Sequence, residues 1–145
     1  MKNLFQSEPE ILSVVNGFRD RSLSKEQWTH EAHQVTAIWF HLNHTPPEAL
    51  CYLRAGIITY NEATGGKNTH TDGYHETLTL FWCRTIAGFV GENAGMSLVA
   101  LCEKFLDSEL AMKDYPLRFY TRDRLFSVEA RAAWMEPDVK VPTNV

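Results

Sequence analysis

The chain has 145 residues, a formal net charge of −4 and 44% hydrophobic residues, enough for one domain with a buried core and too little for two comfortable ones. Charged residues at 22% and aromatics at 12% exclude an extended disordered chain. The mild acidity argues against a nucleic-acid or anionic-membrane partner, both of which call for a basic surface.

The hydrophobic periodicity is helical nearly throughout. Residues 8–21 read as a first helix, with Ile11, Leu12, Val15 and Phe18 at three-to-four spacing. Ser24 or Thr29 caps a second helix running to about His44, where Pro46 and Pro47 stop it. Thr45 followed by Glu48 makes a capping box with Pro46 at the first helical position, so a third helix begins there. It carries Leu50, Leu53, Ile57 and Tyr60 and ends near Gly65 and Gly66. The polar loop GKNTHTDG follows, and Asp72 or Thr71 caps a fourth helix from about Gly73 to Val90. A fifth runs from Ser97 to Leu110, and Ser127 caps a last short helix before Pro137. The expectation is a single all-α domain: a four- or five-helix bundle over about 8–110, with an irregular C-terminal wrap over about 115–140.

Cys51, Cys83 and Cys102 are odd in number and lie in apolar segments, which suits buried free thiols in a reducing compartment. The opening MKNLFQSEPEIL lacks the apolar run of a secretory signal, and no stretch reaches transmembrane length. A cytoplasmic location is the expectation.

Familiar catalytic motifs fall away. GGKNT lacks the Gly-Lys-Ser/Thr core of a phosphate loop and follows a helix instead of a strand. No Gly-x-Ser-x-Gly is present, and His30-Glu31-Ala32-His33 is one residue short of the zinc-protease helix. Six histidines in so short a chain are the oddity that remains. His30-x-x-His33 opens the second helix and Gly73-Tyr74-His75-Glu76-Thr77 opens the fourth.

Short connections make successive helices antiparallel, so the second and fourth run parallel with their N-termini at one end. His30, His33 and His75 then share a layer with Tyr60, Asn61 and Glu62 and with Asn68 and His70 of the loop. Residues three apart lie on one helix face, so His30 and His33 suit joint ligation of one ion. His75 aligns with Thr79, Trp82 and Ile86 on an apolar stripe, points inward and needs a partner. Asn61 falls on the inward stripe of the third helix. In the second helix the clear apolar stripe is Val35, Ile38, Trp39 and Leu42. The stripe of His30, His33, Ala37, His41 and His44 reads either as a second buried face or as a solvated one. His41 and His44, at the far end, read as surface residues.

Three readings of the trio follow. One is a site for a divalent transition metal (Zn, Fe, Cu or Ni) held by His30, His33 and His75. The others are a metal-free acid–base or anion-binding cluster at helix N-termini and plain structural histidines. Helix N-termini keep imidazoles neutral, which suits ligation, but disfavour a cation, so Glu76, Glu31 or Glu62 is needed nearby. Asn61, Glu62 and Thr79 are the nearest acceptors for the free ring nitrogens.

In YPLRFYTRDRLF, Arg118, Arg122 and Arg124 alternate with aromatic residues and suit a carboxylate or phosphate. The plainer reading is surface ion pairs with Asp123, Glu129 and Glu136. The closing Thr143-Asn144-Val145 fits a peptide-domain ligand pattern or an ordinary tail.

The elements WTHEAH, RAGIITYNEATG, NTHTDGYHETLT and YTRDRLFSVEARAAWMEPD together resemble a set of small, functionally uncharacterised bacterial helical proteins. The resemblance spans about residues 28–138 and carries no activity with it. It implies only that His30, His33 and His75 belong to one site.

The leading expectation is a metal-binding helical protein, and its catalytic version is a metal-dependent enzyme acting on a small molecule, with Glu76 or Glu31 as general base. Asn61, Tyr74, Arg118 and Arg122 would contact substrate. The alternative is a non-catalytic binding or dimerisation module with structural or surface histidines. The first demands a pocket at the shared helix ends lined by the three histidines, the second an exposed Leu/Phe/Trp patch. A small molecule and a second copy of the chain are the expected partners.

Overall fold

Each helix starts where a side chain satisfies its orphan amides. In the computed structural model, which describes residues 5–139, Ser7 caps α1 (Glu8–Arg19). Thr29 accepts from the Ala32 amide and opens α2 (His30–Asn43). Thr45 and Glu48 form the expected reciprocal box at the start of α3 (Pro46–Ala63). Ser24 caps a separate 3-10 turn, Lys25–Gln27, ahead of α2. α4 spans Glu76–Glu92 and α5, capped by Ser97, spans Leu98–Leu106. Two 3-10 turns, Glu109–Ala111 and Tyr115–Arg118, lead into α6 (Arg122–Leu125) and α7 (Val128–Ala132). Among the described residues there are seven α-helices and no strand, so the domain is all-α.

α2 is the central helix, packed against α1, α3, α4 and α5. Ala32, Gln34, Val35, Thr36, Ala37, Ile38, Phe40 and His41 are all buried along it. A helix enclosed on several sides has no solvated polar face, so His41 is buried, contrary to the surface position expected from sequence. Its Nδ1 donates to Ala37 O at 2.8 Å, and its Nε2 has no protein partner. His44 is half-buried beside Trp39, Phe40 and Tyr52. Of the cysteines, all free, Cys83 and Cys102 are buried and Cys51 is exposed.

Phe18 organises the side of the core next to α3. Its ring stacks on Trp28 with centroids 4.6 Å apart and meets Phe40 edge-on. Tyr60 leans on both and donates its hydroxyl to Leu23 O at 2.7 Å. The α3 backbone approaches this ring at Gly56, where an added Cβ would stand 2.5 Å from Phe18 Cζ.

The C-terminal wrap forms a smaller core of Phe81, Tyr120 and Leu125, with Trp82, Tyr115, Phe119 and Trp134 around it. Thr77 in α4 donates to Ala133 O at 2.9 Å and accepts from the Met135 amide, which sews the wrap onto the bundle. Tyr120 donates to Met135 O at 2.6 Å, and Thr121 binds the Asp138 carboxylate. The pattern at Thr143-Asn144-Val145 lies outside the described residues.

Gly56 and Gly88 form an informative pair. Gly88→Ala has open space around the new methyl and should gain roughly 0.5–1 kcal/mol from helix propensity. Gly56→Ala has the same propensity gain but must displace Phe18, so a net loss of roughly 1–3 kcal/mol is expected in urea denaturation.

Candidate functional site

The parallel N-termini of α2 and α4 leave a cavity of about 500 Å³ facing α3. Trp28, Ala37, Leu53, Ile57, Trp82 and Ile86 give it mostly apolar walls, and His30, His33, Gln34, Asn61, Tyr74 and His75 bring polar atoms to them. The expected layer of three histidines is therefore assembled around one space.

The loop before α4 is held by Asn68. Its Nδ2 donates to Ile58 O at 3.0 Å, while its Oδ1 accepts from Asn61 Nδ2 and from the Tyr74 amide. Gly73 turns the chain here at φ +82°, and a Cβ would stand 2.3 Å from Lys67 O. Only glycine suits that combination of positive φ and close approach.

α4 starts later than the sequence suggests, and the reason is His75. It is the N-cap, in extended conformation, with Nδ1 accepting from the Leu78 amide at 3.1 Å. Its Nε2 donates to Leu125 O at 2.8 Å. Both ring nitrogens are committed to backbone, so the ring is neutral and holds no lone pair for an ion. Burial lowers its pKa, and the nearby Arg131 charge adds to that.

The α2 histidines each commit one ring nitrogen to a backbone carbonyl. His30 Nε2 donates to Ala111 O at 3.0 Å, an oxygen that also accepts from Gln34 Nε2 at 3.0 Å. His33 Nδ1 donates to Thr29 O at 2.8 Å. Its ring lies against Trp28 with centroids 3.9 Å apart. Burial pushes the His33 pKa down to about 4, aided by the neighbouring His30. A carbonyl only accepts, so each bond fixes the tautomer and leaves His33 Nε2 as an acceptor near neutral pH.

The metal reading does not survive. Among the described residues, no group of three or more His, Cys, Asp or Glu side chains could hold a metal ion. His30, His33 and His75 converge on a cavity, but each is used to satisfy a backbone carbonyl. The metal-binding function expected of the three histidines is withdrawn. The acceptors expected for the ring nitrogens, Asn61, Glu62 and Thr79, are replaced by Ala111, Thr29 and Leu125 carbonyls.

Neither carboxylate expected to act as a base is part of the cavity wall. Glu76 is clamped by Arg54, Nε to Oε1 at 3.0 Å and Nη2 to Oε2 at 2.6 Å, and accepts from the Tyr74 hydroxyl at 2.6 Å. Burial alone would raise its pKa, but the Arg54 and Tyr74 bonds outweigh it and hold the carboxyl below its ordinary value. Glu31 sits in the first turn of α2, half-buried. Of the residues expected to touch a substrate, Asn61 and Tyr74 do line the cavity, whereas Arg118 pairs with Glu109 at the surface. Arg122 lines a second, neighbouring cavity. Arg124 donates to Glu136 O at 2.6 Å rather than pairing with a carboxylate.

Sequence reasoning missed Trp28, Gln34 and Lys113 as wall residues. Trp28 and Gln34 matter most: Trp28 Nε1 and Gln34 Oε1 are buried without a protein partner. Gln34 at four residues after His30 was the available signal, a buried amide on the histidine stripe. No family model matches the chain, and no curated protein or solved structure matches it either. Among the described residues no helix is long and apolar enough to cross a membrane.

The lowered histidine pKa values make stability pH-dependent. Between the ordinary value of 6.5 and about 4, the unfolded chain protonates His33 while the folded one does not, so stability falls as pH falls through that window. His75 and His41 act with the same sign. His33→Gln should flatten the profile of urea midpoint against pH in this window, and an unchanged slope would refute the assignment.

Proposed function

We propose that this chain binds a small, mostly apolar organic molecule in the cavity between α2, α3 and α4. The ligand carries an uncharged polar group that meets Trp28 and Gln34. The observation that carries this reading is an apolar cavity of about 500 Å³, two of whose wall residues bury a polar atom with no protein partner. Its size lies in the usual range for ligand sites. A buried unpaired donor or acceptor costs roughly 1–3 kcal/mol. A hydroxyl or amide compound would recover that by accepting from Trp28 Nε1–H and donating to Gln34 Oε1, whereas a ketone would recover the Trp28 part alone.

The wall chemistry favours binding. The His33 and His75 imidazoles are neutral near pH 7, and the ionised Glu76–Arg54 pair stands outside the wall. Burial pushes the pKa of the Cys83 thiol, which does line the cavity, up to about 12, so it is no ready nucleophile. An exposed-patch module is less well supported. Leu42, Tyr52, Met112, Phe126 and Val128 are the exposed large apolar residues, whereas the trio of histidines faces the cavity wall.

Differential scanning fluorimetry against a panel of small cyclic alcohols, amides and ketones tests the reading. A ligand at about 100 times its Kd should stabilise the fold by about 2.7 kcal/mol and raise Tm by several degrees. Trp28→Phe should weaken a hydrogen-bonding ligand by about threefold to tenfold. Ala37→Leu and Ile57→Phe, which fill the cavity, should abolish binding while far-UV circular dichroism remains helical. A panel without a single stabilising compound, or binding undiminished in both filled variants, refutes the proposal.

A further inference from the structure

A second cavity, of about 360 Å³, lies between α4 and the C-terminal wrap and has His30, Leu78, Trp82 and Lys113 in common with the first. Pro116, Leu117 and Leu125 continue its apolar wall, and Phe126, 54% exposed, forms its outer edge. A molecule passing Trp82 would touch both spaces.

Apart from Lys113, which lines both, the charged side chains belong to the outer space. Lys113 stands at the shared edge, and Arg122 and Asp114 line only the second cavity. The ion pairs among the described residues are Arg54–Glu76 and Arg118–Glu109, with His44 near Glu48. Lys113 and Arg122 therefore stand without a carboxylate partner among the described residues, on flexible stems that can bring their heads to a bound anion. Two cations against Asp114 leave a surplus of one positive charge.

We propose that the ligand is an amphipathic monocarboxylate, its apolar body in the first cavity and its carboxylate between Lys113 and Arg122. This rests on the cavity reading above and specifies its ligand. A single negative charge matches the surplus, whereas a phosphate dianion would exceed it and face Asp114. Arg122 supplies a planar fork for the two carboxylate oxygens and Lys113 a compact charge.

Isothermal titration with 10-hydroxydecanoate and its methyl ester, which share the hydroxyl for Trp28 and Gln34 and differ at the head alone, tests the charge assignment. The carboxylate should bind about tenfold more tightly at low ionic strength, and the advantage should shrink in high salt because these heads are exposed and screened. In the double variant Lys113→Glu, Arg122→Glu the ratio of the two affinities should fall to one or below. Equal affinities in the native protein, or a preference that survives in the double variant, overturn the monocarboxylate proposal and leave the cavity reading standing. Failure of both compounds to bind also overturns it, and the broader fluorimetry panel then decides whether the cavity reading falls with it.

Discussion

A buried imidazole is tolerable when it is neutral and both of its nitrogens are hydrogen-bonded, and His75 meets both conditions in a way that joins two parts of the molecule. Its Nδ1 stands in for the serine or threonine oxygen that usually caps a helix, and its Nε2–H reaches Leu125 O in the wrap. The start of α4 and the position of residues 115–139 are therefore coupled through one ring. Thr77, two residues on, strengthens the coupling by bonding Ala133 O and the Met135 amide.

The same logic runs through the helix ends around the cavity. His30 and Gln34 converge on Ala111 O, and His33 returns to Thr29 O. Irregular backbone packed against a bundle has carbonyls that no ladder satisfies, and here side chains of α2 and α4 satisfy them. That use explains why histidines cluster without forming an ion site: His75 spends both ring nitrogens on backbone, which leaves the trio one ligand short. It also explains why polar atoms surround an otherwise apolar space. The stack of Phe18 on Trp28 holds the indole on the cavity wall, and the Asn68 anchor holds Tyr74 there.

Much of the architecture was legible locally. Capping is short-range chemistry: Thr45 and Ser127 cap the helices expected of them, and Thr29, one of two candidates, caps α2. The antiparallel succession that brought His30, His33 and His75 to one end followed from short connections. The error at α4 was also local in origin. Asp72 and Thr71 are better caps by propensity, but Gly73 and the Asn68 contacts bend the loop so that His75 reaches the Leu78 amide first. Moving the helix start changed the function of the ring, from a side chain free to ligate to one spent on a cap.

Composition, periodicity and caps determined the all-α class and the end of the bundle at which polar groups gather. These properties depend on residues within a few positions of one another. What each gathered group bonds to was decided by the tertiary structure, because the partners are carbonyls of Ala111 and Leu125, 81 and 50 residues away from His30 and His75. No side-chain pattern encodes a distant backbone oxygen. The same holds for the cavity itself: whether facing apolar stripes close or leave a space is set by how Trp28, Trp82 and Ile57 meet across three helices, which sequence spacing does not contain.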